Sequence, residues 1–274
     1  MSLSQTNILG IKITTNQKAD LLAFIVNYLK SQKASKGLKI YTPNPEQIVF
    51  AHKHPEFREV LNSADINLPD GIGTVWAVNQ LTAHSHELSA FTRIPGIEFM
   101  EELVKVAAEK KWPVTFIGGR YGVAEQALDN LKQKYPGLEG WAEDGPEVTI
   151  SNFKFQISNN TNEENYFYRL VQKINNSGVM LVFVGLGAPK QEYFISRLAR
   201  ECQMSNVKCR MVFMSVGGAF DIISGKLPRA PSFMRDLEFL WRLIHEPWRI
   251  KRHFALLWFI ILVLVRKSGS HSNS

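Results

Sequence analysis

The chain is 274 residues long, 45% apolar and 21% charged, enough to bury a substantial core in one large domain plus an extension. Its net charge of +7 is concentrated in residues 226–274, where nine Lys and Arg face three acids and supply +6; the nearly neutral remainder has no basic face, which excludes nucleic acid as a partner. Cys202 and Cys209 form neither a CxxC pair nor a disulfide framework, and the opening MSLSQTNILG has no basic stretch or apolar run of a secretory signal, so a cytoplasmic body is expected.

In chain order, the patterning predicts a strand over 8–13, a helix over 17–31, a strand over 39–42, helices over 45–52 and 55–62, a strand over 66–68 and a helix over 73–79. Pro45 and Pro55 suit first-turn positions, where the missing N–H costs nothing. A helix over 97–111, a strand over 114–117, a helix over 123–134 and a strand over 138–141 follow. Residues 143–163 are polar and read as a loop or small excursion, before a helix over 164–174, a strand over 179–184, a helix over 191–201 and a strand over 211–216. Strand–helix alternation at this spacing predicts an α/β fold, Rossmann-like, with a mainly parallel sheet flanked by helices. The runs VTFIG, MLVFVG and RMVFMSVGG have the continuous apolarity of strands buried on both faces.

After residue 225 the pattern changes, which divides the chain into a catalytic α/β domain over 1–225 and a basic, hydrophobic helical appendage over 226–274. A Pro-punctuated linker, KLPRAP, leads to Ser232 as a helix cap, and Pro247 starts a further helix. Arg235, Arg242 and Arg249 recur every seven residues beside Met234, Trp241 and Trp248. The run FALLWFIILVLV at 254–265 is bracketed by cations. Its twelve residues cover ~18 Å of helix against a ~30 Å hydrocarbon core, too short to span. Peripheral attachment to an anionic membrane surface is the expectation, the alternative being a terminal helix packed on the body or on a second subunit of a homo-oligomer.

Ligands of open α/β sheets bind outside the carboxyl ends of strands. Three predicted strand ends carry glycine turns, at Gly118 and Gly119, at Gly185 and Gly187, and at Gly217 and Gly218. Such turns let backbone approach a diphosphate, so a nucleotide or phosphorylated ligand is expected. The dinucleotide fingerprint is incomplete, with Lys190 where the third glycine belongs; the Walker pattern and a D-x-D pair are absent, and His52, His54, His84 and His86 lie in polar surface contexts, so no metal site is assigned. Two further clusters follow strands. TPNPEQ at 42–47 puts Thr42 and Asn44 at a sheet edge, and LPDGIG at 68–73 puts Asp70 in a tight turn, where an acid could serve as a general base but, taken in isolation, reads as a turn former bonding its own backbone.

Taken together, TPNPEQIVFA (42–51), LNSADINLPDGIGTVWA (61–77), RIPGIEFM (93–100), FIGGRYG (116–122), VGLGAPKQE (184–192) and VGGAFDIISGKLPRAP (216–231) resemble the WecG/TagA/CpsF glycosyltransferase family, over residues 8 to 252. The resemblance implies an inverting, metal-independent transferase without cofactor. It would move a sugar, N-acetylmannosamine or its uronic acid, from a UDP-sugar donor to a polyprenyl-diphosphate-linked N-acetylglucosamine on the inner membrane face, for cell-envelope polysaccharide. By the same resemblance Asp70 is the base, Thr42 and Asn44 line the pocket beside it, Arg93 is a basic pocket residue, and Gln191 is the polar residue of the PKQE turn. Arg229, Arg235 and Arg242 fall in the appendage that targets the membrane and completes the site. The FALLWFIILVLV tail lies beyond the resemblance. A sugar-nucleotide epimerase or reductase, or a non-enzymatic membrane scaffold, are the alternatives from other classes.

Overall fold

The computed structural model describes residues 2–31, 36–82, 92–151, 154–157, 163–205, 210–229 and 251–271. A six-stranded, wholly parallel sheet forms its centre. It is built from β3 (Leu38–Tyr41), β4 (Ile66–Asn67), β5 (Val114–Gly118), β6 (Gly140–Glu143), β9 (Leu181–Gly185) and β10 (Val212–Ser215), in the order β4-β3-β10-β9-β5-β6. The chain reverses direction across the sheet between β5, which leads outward to β6, and β9, which leads back to β10.

Side chains alternate along the central strands and divide the core into two layers. Ile40, Val114, Phe116, Leu181, Phe183, Val212 and Met214 face one way. There they meet α1 (Lys18–Lys30), α5 (Gly96–Lys110), α6 (Val123–Lys134) and α9 (Ala219–Ile223). Tyr41, Ile117, Val182, Val184 and Phe213 face the other way. That layer is covered by α2 (Pro45–Lys53), α3 (Pro55–Asn62), α4 (Ile72–Thr82), α7 (Glu163–Asn176) and α8 (Lys190–Met204). Burial on both faces is why these strands read as unbroken apolar runs. Truncating one buried ring, such as Phe183→Ala, costs about 3–5 kcal/mol.

Two predicted elements come out differently. The strand expected over 8–13 is a hairpin of β1 (Gln5–Ile8) and β2 (Ile11–Thr14), because Leu9 and Gly10 both adopt positive φ and turn the chain back. The polar stretch expected as a loop or small excursion holds its own antiparallel hairpin, β7 (Val148–Ser151) with β8 (Lys154–Ile157).

The apolar tail lies within a longer helix, α10 (Lys251–His271). Among the described residues no helix is long and apolar enough to cross a membrane. One face of α10 packs on α2 and α4. Phe259 and Val263 are fully buried there, in the same core layer as Phe57 and Val78. The opposite face leaves Phe254, Leu257, Trp258, Ile261, Leu264 and Val265 exposed. The two faces follow helical spacing, so one run of apolar residues serves both the protein core and the surface. The helices expected from Ser232 and from Pro247, with Arg235, Arg242 and Arg249, lie outside the described residues.

Candidate active site

A cleft of about 370 Å³ opens outside the carboxyl ends of four adjacent strands, β4, β3, β10 and β9. Its wall includes Thr42, Asn44, Asp70, Arg93, Gln191 and Gly217. This is where an open parallel sheet places its ligand.

Each strand end delivers its residue by a local device. Beyond β3, Asn44 caps α2: its Oδ1 accepts from the Gln47 N–H at 3.0 Å, and the Asn44 N–H donates to Gln47 Oε1 at 3.0 Å. This reciprocal capping box fixes both side chains at the head of the helix. Beyond β4, the chain turns through Pro69-Asp70-Gly71, with Gly71 at φ +95° and the Asp70 N–H donating to the Leu68 carbonyl at 2.9 Å. The Thr74 hydroxyl donates to the Asp70 carbonyl at 3.2 Å, tying the turn to the first turn of α4.

Arg93 reaches this turn from the segment leading into α5. The Ile94 N–H donates to the Pro69 carbonyl at 3.3 Å, so the two backbones run side by side. Arg93 Nη2 stands 3.6 Å from Asp70 Oδ1, with side-chain exposures of 16% and 30%. Gly96 opens α5 beside the same carboxylate. A Cβ there would lie 3.5 Å from Asp70 Oδ2 and 3.0 Å from Thr42 Cγ2. A partly sheltered carboxylate thus lies between a guanidinium and the N-terminus of a 15-residue helix.

Beyond β9, Gln191 lies in the first turn of α8. Its Oε1 accepts the Gly217 N–H at 2.9 Å, and its Nε2 donates to Glu192 Oε1 at 2.8 Å. The same Glu192 oxygen accepts from Gln47 Nε2 at 3.0 Å. Glu192 is wholly inaccessible to solvent. Burial pushes its carboxyl up to about 7, against the opposing pull of hydrogen bonds from Gln191, its own backbone, Gln47 and Ser215. The Ser215 contact is a loose one, for neither Glu192 Oε2 nor Ser215 Oγ completes a well-formed hydrogen bond. The Tyr41 hydroxyl donates to the Glu192 carbonyl at 3.1 Å, and its own titration is pushed above the usual range by burial.

Thr42, Asn44, Asp70, Arg93, Gly187, Gln191, Gly217 and Gly218 therefore converge on one cleft. Gly118, Gly119 and Gly185 do not line it. β5 and β9 approach so closely that a Cβ on Gly118 would lie 2.4 Å from the Gly185 carbonyl oxygen, and the chain at Gly145 covers Gly118 from above. The absence of side chains at Gly118 and Gly185 permits this close packing of the two strand ends. Arg229 is also directed elsewhere: its guanidinium pairs with Glu101 at 3.1 Å and Glu98 at 3.8 Å on α5. Arg235 and Arg242 lie outside the described residues. Among the described residues, no three His, Cys, Asp or Glu side chains gather as a metal site would require.

Glu192 received no role from its sequence. Its signal was available, since a charged residue stands on the core side of a helix between Gln191 and the buried Phe194 and Ile195.

A parallel sheet with a carboxylate, a guanidinium and backbone turns at the ends of adjacent strands defines an α/β enzyme that acts on a ligand held at the sheet edge. The model of the Glycosyl transferase WecG/TagA/CpsF family matches residues 6–273, and the chain belongs to that family: it is a glycosyltransferase. It is similar to the N-acetylglucosaminyldiphosphoundecaprenol N-acetyl-beta-D-mannosaminyltransferase of Bacillus spizizenii, at 32% identity over 244 residues, covering 86% of this chain and 82% of the relative. The family match continues through α10, so the apolar tail does have a counterpart in the family, contrary to the narrower resemblance read from the sequence.

Proposed function

We propose that the protein transfers N-acetylmannosamine, or its uronic acid, from a UDP-sugar to a polyprenyl-diphosphate-linked N-acetylglucosamine, with inversion and with Asp70 as general base. The observation that carries this reading is the Asp70–Arg93 pair at the mouth of a cleft walled by Thr42, Asn44 and Gln191. Asp70 takes the proton of the acceptor hydroxyl as its oxygen attacks the anomeric carbon. The bond to the UDP oxygen breaks on the opposite face, and UDP leaves with the electron pair. Arg93 orients the carboxylate. Charge growing on the leaving diphosphate is met by backbone N–H groups of the turns at Gly187 and Gly218, the Gly217 N–H being held by Gln191, and is aided by the appendage arginines Arg229, Arg235 and Arg242, the first of which would have to leave its α5 partners.

The outer face of α10 supports attachment to the inner face of the plasma membrane, where a polyprenyl carrier resides. Six apolar side chains stand out from it and the Lys53 ammonium lies 5.9 Å over the Trp258 ring, whereas Arg266 and Lys267 turn back to the body, bonding Asn7 Oδ1 at 3.2 Å and Gln80 Oε1 at 2.8 Å. Each cation near an anionic leaflet adds about 1 kcal/mol to that of the apolar insertion. Incubating the protein with a panel of UDP-sugars and a short-chain lipid-linked N-acetylglucosamine, read by mass spectrometry, tests the reaction. The expected product gains one N-acetylhexosamine or its uronic acid; no glycosylated lipid with any donor overturns the reading.

A further inference from the structure

The geometry points to Glu192 as a positioning residue that pins three loops of the cleft to one another while touching no ligand itself. This rests on the glycosyltransferase reading and adds to it the device that holds the cleft in register.

Two amide side chains in the cleft wall have forced orientations. A backbone N–H can only donate. The Asn44 N–H occupies Gln47 Oε1, and the Gly217 N–H occupies Gln191 Oε1. Both glutamines must therefore turn their Nε2 groups inward, and both donate to the same atom, Glu192 Oε1, at 3.0 and 2.8 Å. One oxygen atom thus ties the loop after β3, through Gln47 and Asn44, to the loop after β10, through Gln191 and Gly217. Gln191 itself belongs to the loop after β9. Asn44, Gln47, Gln191 and Gly217 all line the cleft; Glu192 lies beneath it, fully enclosed. A buried carboxyl is costly where an apolar side chain of similar size would do, and Oε2 without a well-formed hydrogen bond adds to the cost. The three-way pin is the compensating gain.

Two conservative variants separate the position of the acceptor from its charge. In Glu192→Gln the side-chain oxygen stays in place and can still accept from both glutamines. In Glu192→Asp the charge stays but the oxygen withdraws by one methylene. Transfer to the short-chain lipid acceptor is expected to remain near wild type in E192Q, and to fall roughly 10- to 100-fold in kcat/KM in E192D. The Gly217 amide should exchange with deuterium faster in E192D and at the wild-type rate in E192Q. E192D as active as E192Q, an inactive E192Q, or unaltered Gly217 exchange in E192D overturns the assignment. Absence of transfer by the wild-type protein would count against the reaction, while the exchange measurement would still decide the pin.

Discussion

Arg93 Nη2 lies 3.6 Å from Asp70 Oδ1, and the two residues come from segments 23 positions apart that are joined by the Ile94 N–H to Pro69 carbonyl bond. Because the backbone contact sets the spacing, either side chain can change without moving the turn. Asp70→Asn should lower kcat by about 10²- to 10⁴-fold, the worth of a general base, and leave UDP affinity, measured by calorimetry, almost unchanged. Near-normal turnover in that variant would remove Asp70 from the chemistry.

Arg93→Ala removes the cation that orients the carboxylate but not the carboxylate. Its expected loss in kcat/KM is smaller than that of Asp70→Asn, roughly 10- to 100-fold, and the double variant should be no worse than Asp70→Asn alone. Losses that multiply in the double variant would show that Arg93 acts on something other than Asp70.

Glu192 makes stability depend on pH with a defined sign. Its folded carboxyl titrates at about 7 against an ordinary value of 4.5, so between those pH values the native state keeps a proton that the unfolded chain has lost. Stability from this group is complete below the lower value and is lost as pH rises through the upper one, by roughly 3 kcal/mol. Urea midpoints of wild type and E192Q at pH 5 and pH 8 isolate it, with the wild type declining more steeply. Parallel declines in the two proteins would mean that Glu192 is already ionised at pH 5.

The two faces of α10 predict opposite phenotypes. Phe259→Ala should cost about 3–5 kcal/mol of stability, as for any enclosed aromatic side chain. A combined Leu257→Ser and Leu264→Ser change should leave the melting temperature nearly constant and weaken sedimentation with anionic vesicles. Undiminished vesicle binding of that double variant would move the membrane contact elsewhere. Deleting the helix is the wrong test, since Phe259 and Val263 belong to the core.

Gly73 carries the last prediction. A Cβ there would lie 2.7 Å from Pro45 Cγ and 3.2 Å from Leu256 Cδ1, so Gly73→Ala must part α4 from α2 and from α10. Because Asp70 precedes α4 and Asn44 caps α2, activity should drop more than stability does. Assay and thermal melt on one preparation will check it.

The sheet was legible in the sequence because parallel strands enclosed on two faces cannot hide their apolarity, as VTFIG and MLVFVG show. The convergence of Thr42, Asn44, Asp70, Arg93 and Gln191 was legible only through motifs in a family order; periodicity alone left Asp70 as a turn former. The hairpin at Leu9-Gly10 was missed because apolar residues continue through the turn and only Gly10 signals it. The glycines after β5 were ambiguous for a physical reason, since glycine marks close backbone approach whether the neighbour is a ligand or, as at Gly118, another strand. The role of Glu192 was overlooked because its place on the core side of a helix says nothing of Gln47, the partner that lies 145 positions away.

The terminal helix is not a leash. Its inner side chains are set into the same packed layer as the helices that begin at Pro45 and Ile72. Any surface gripped by Trp258 and Leu264 would consequently meet the opening at Asp70 at one height and one tilt.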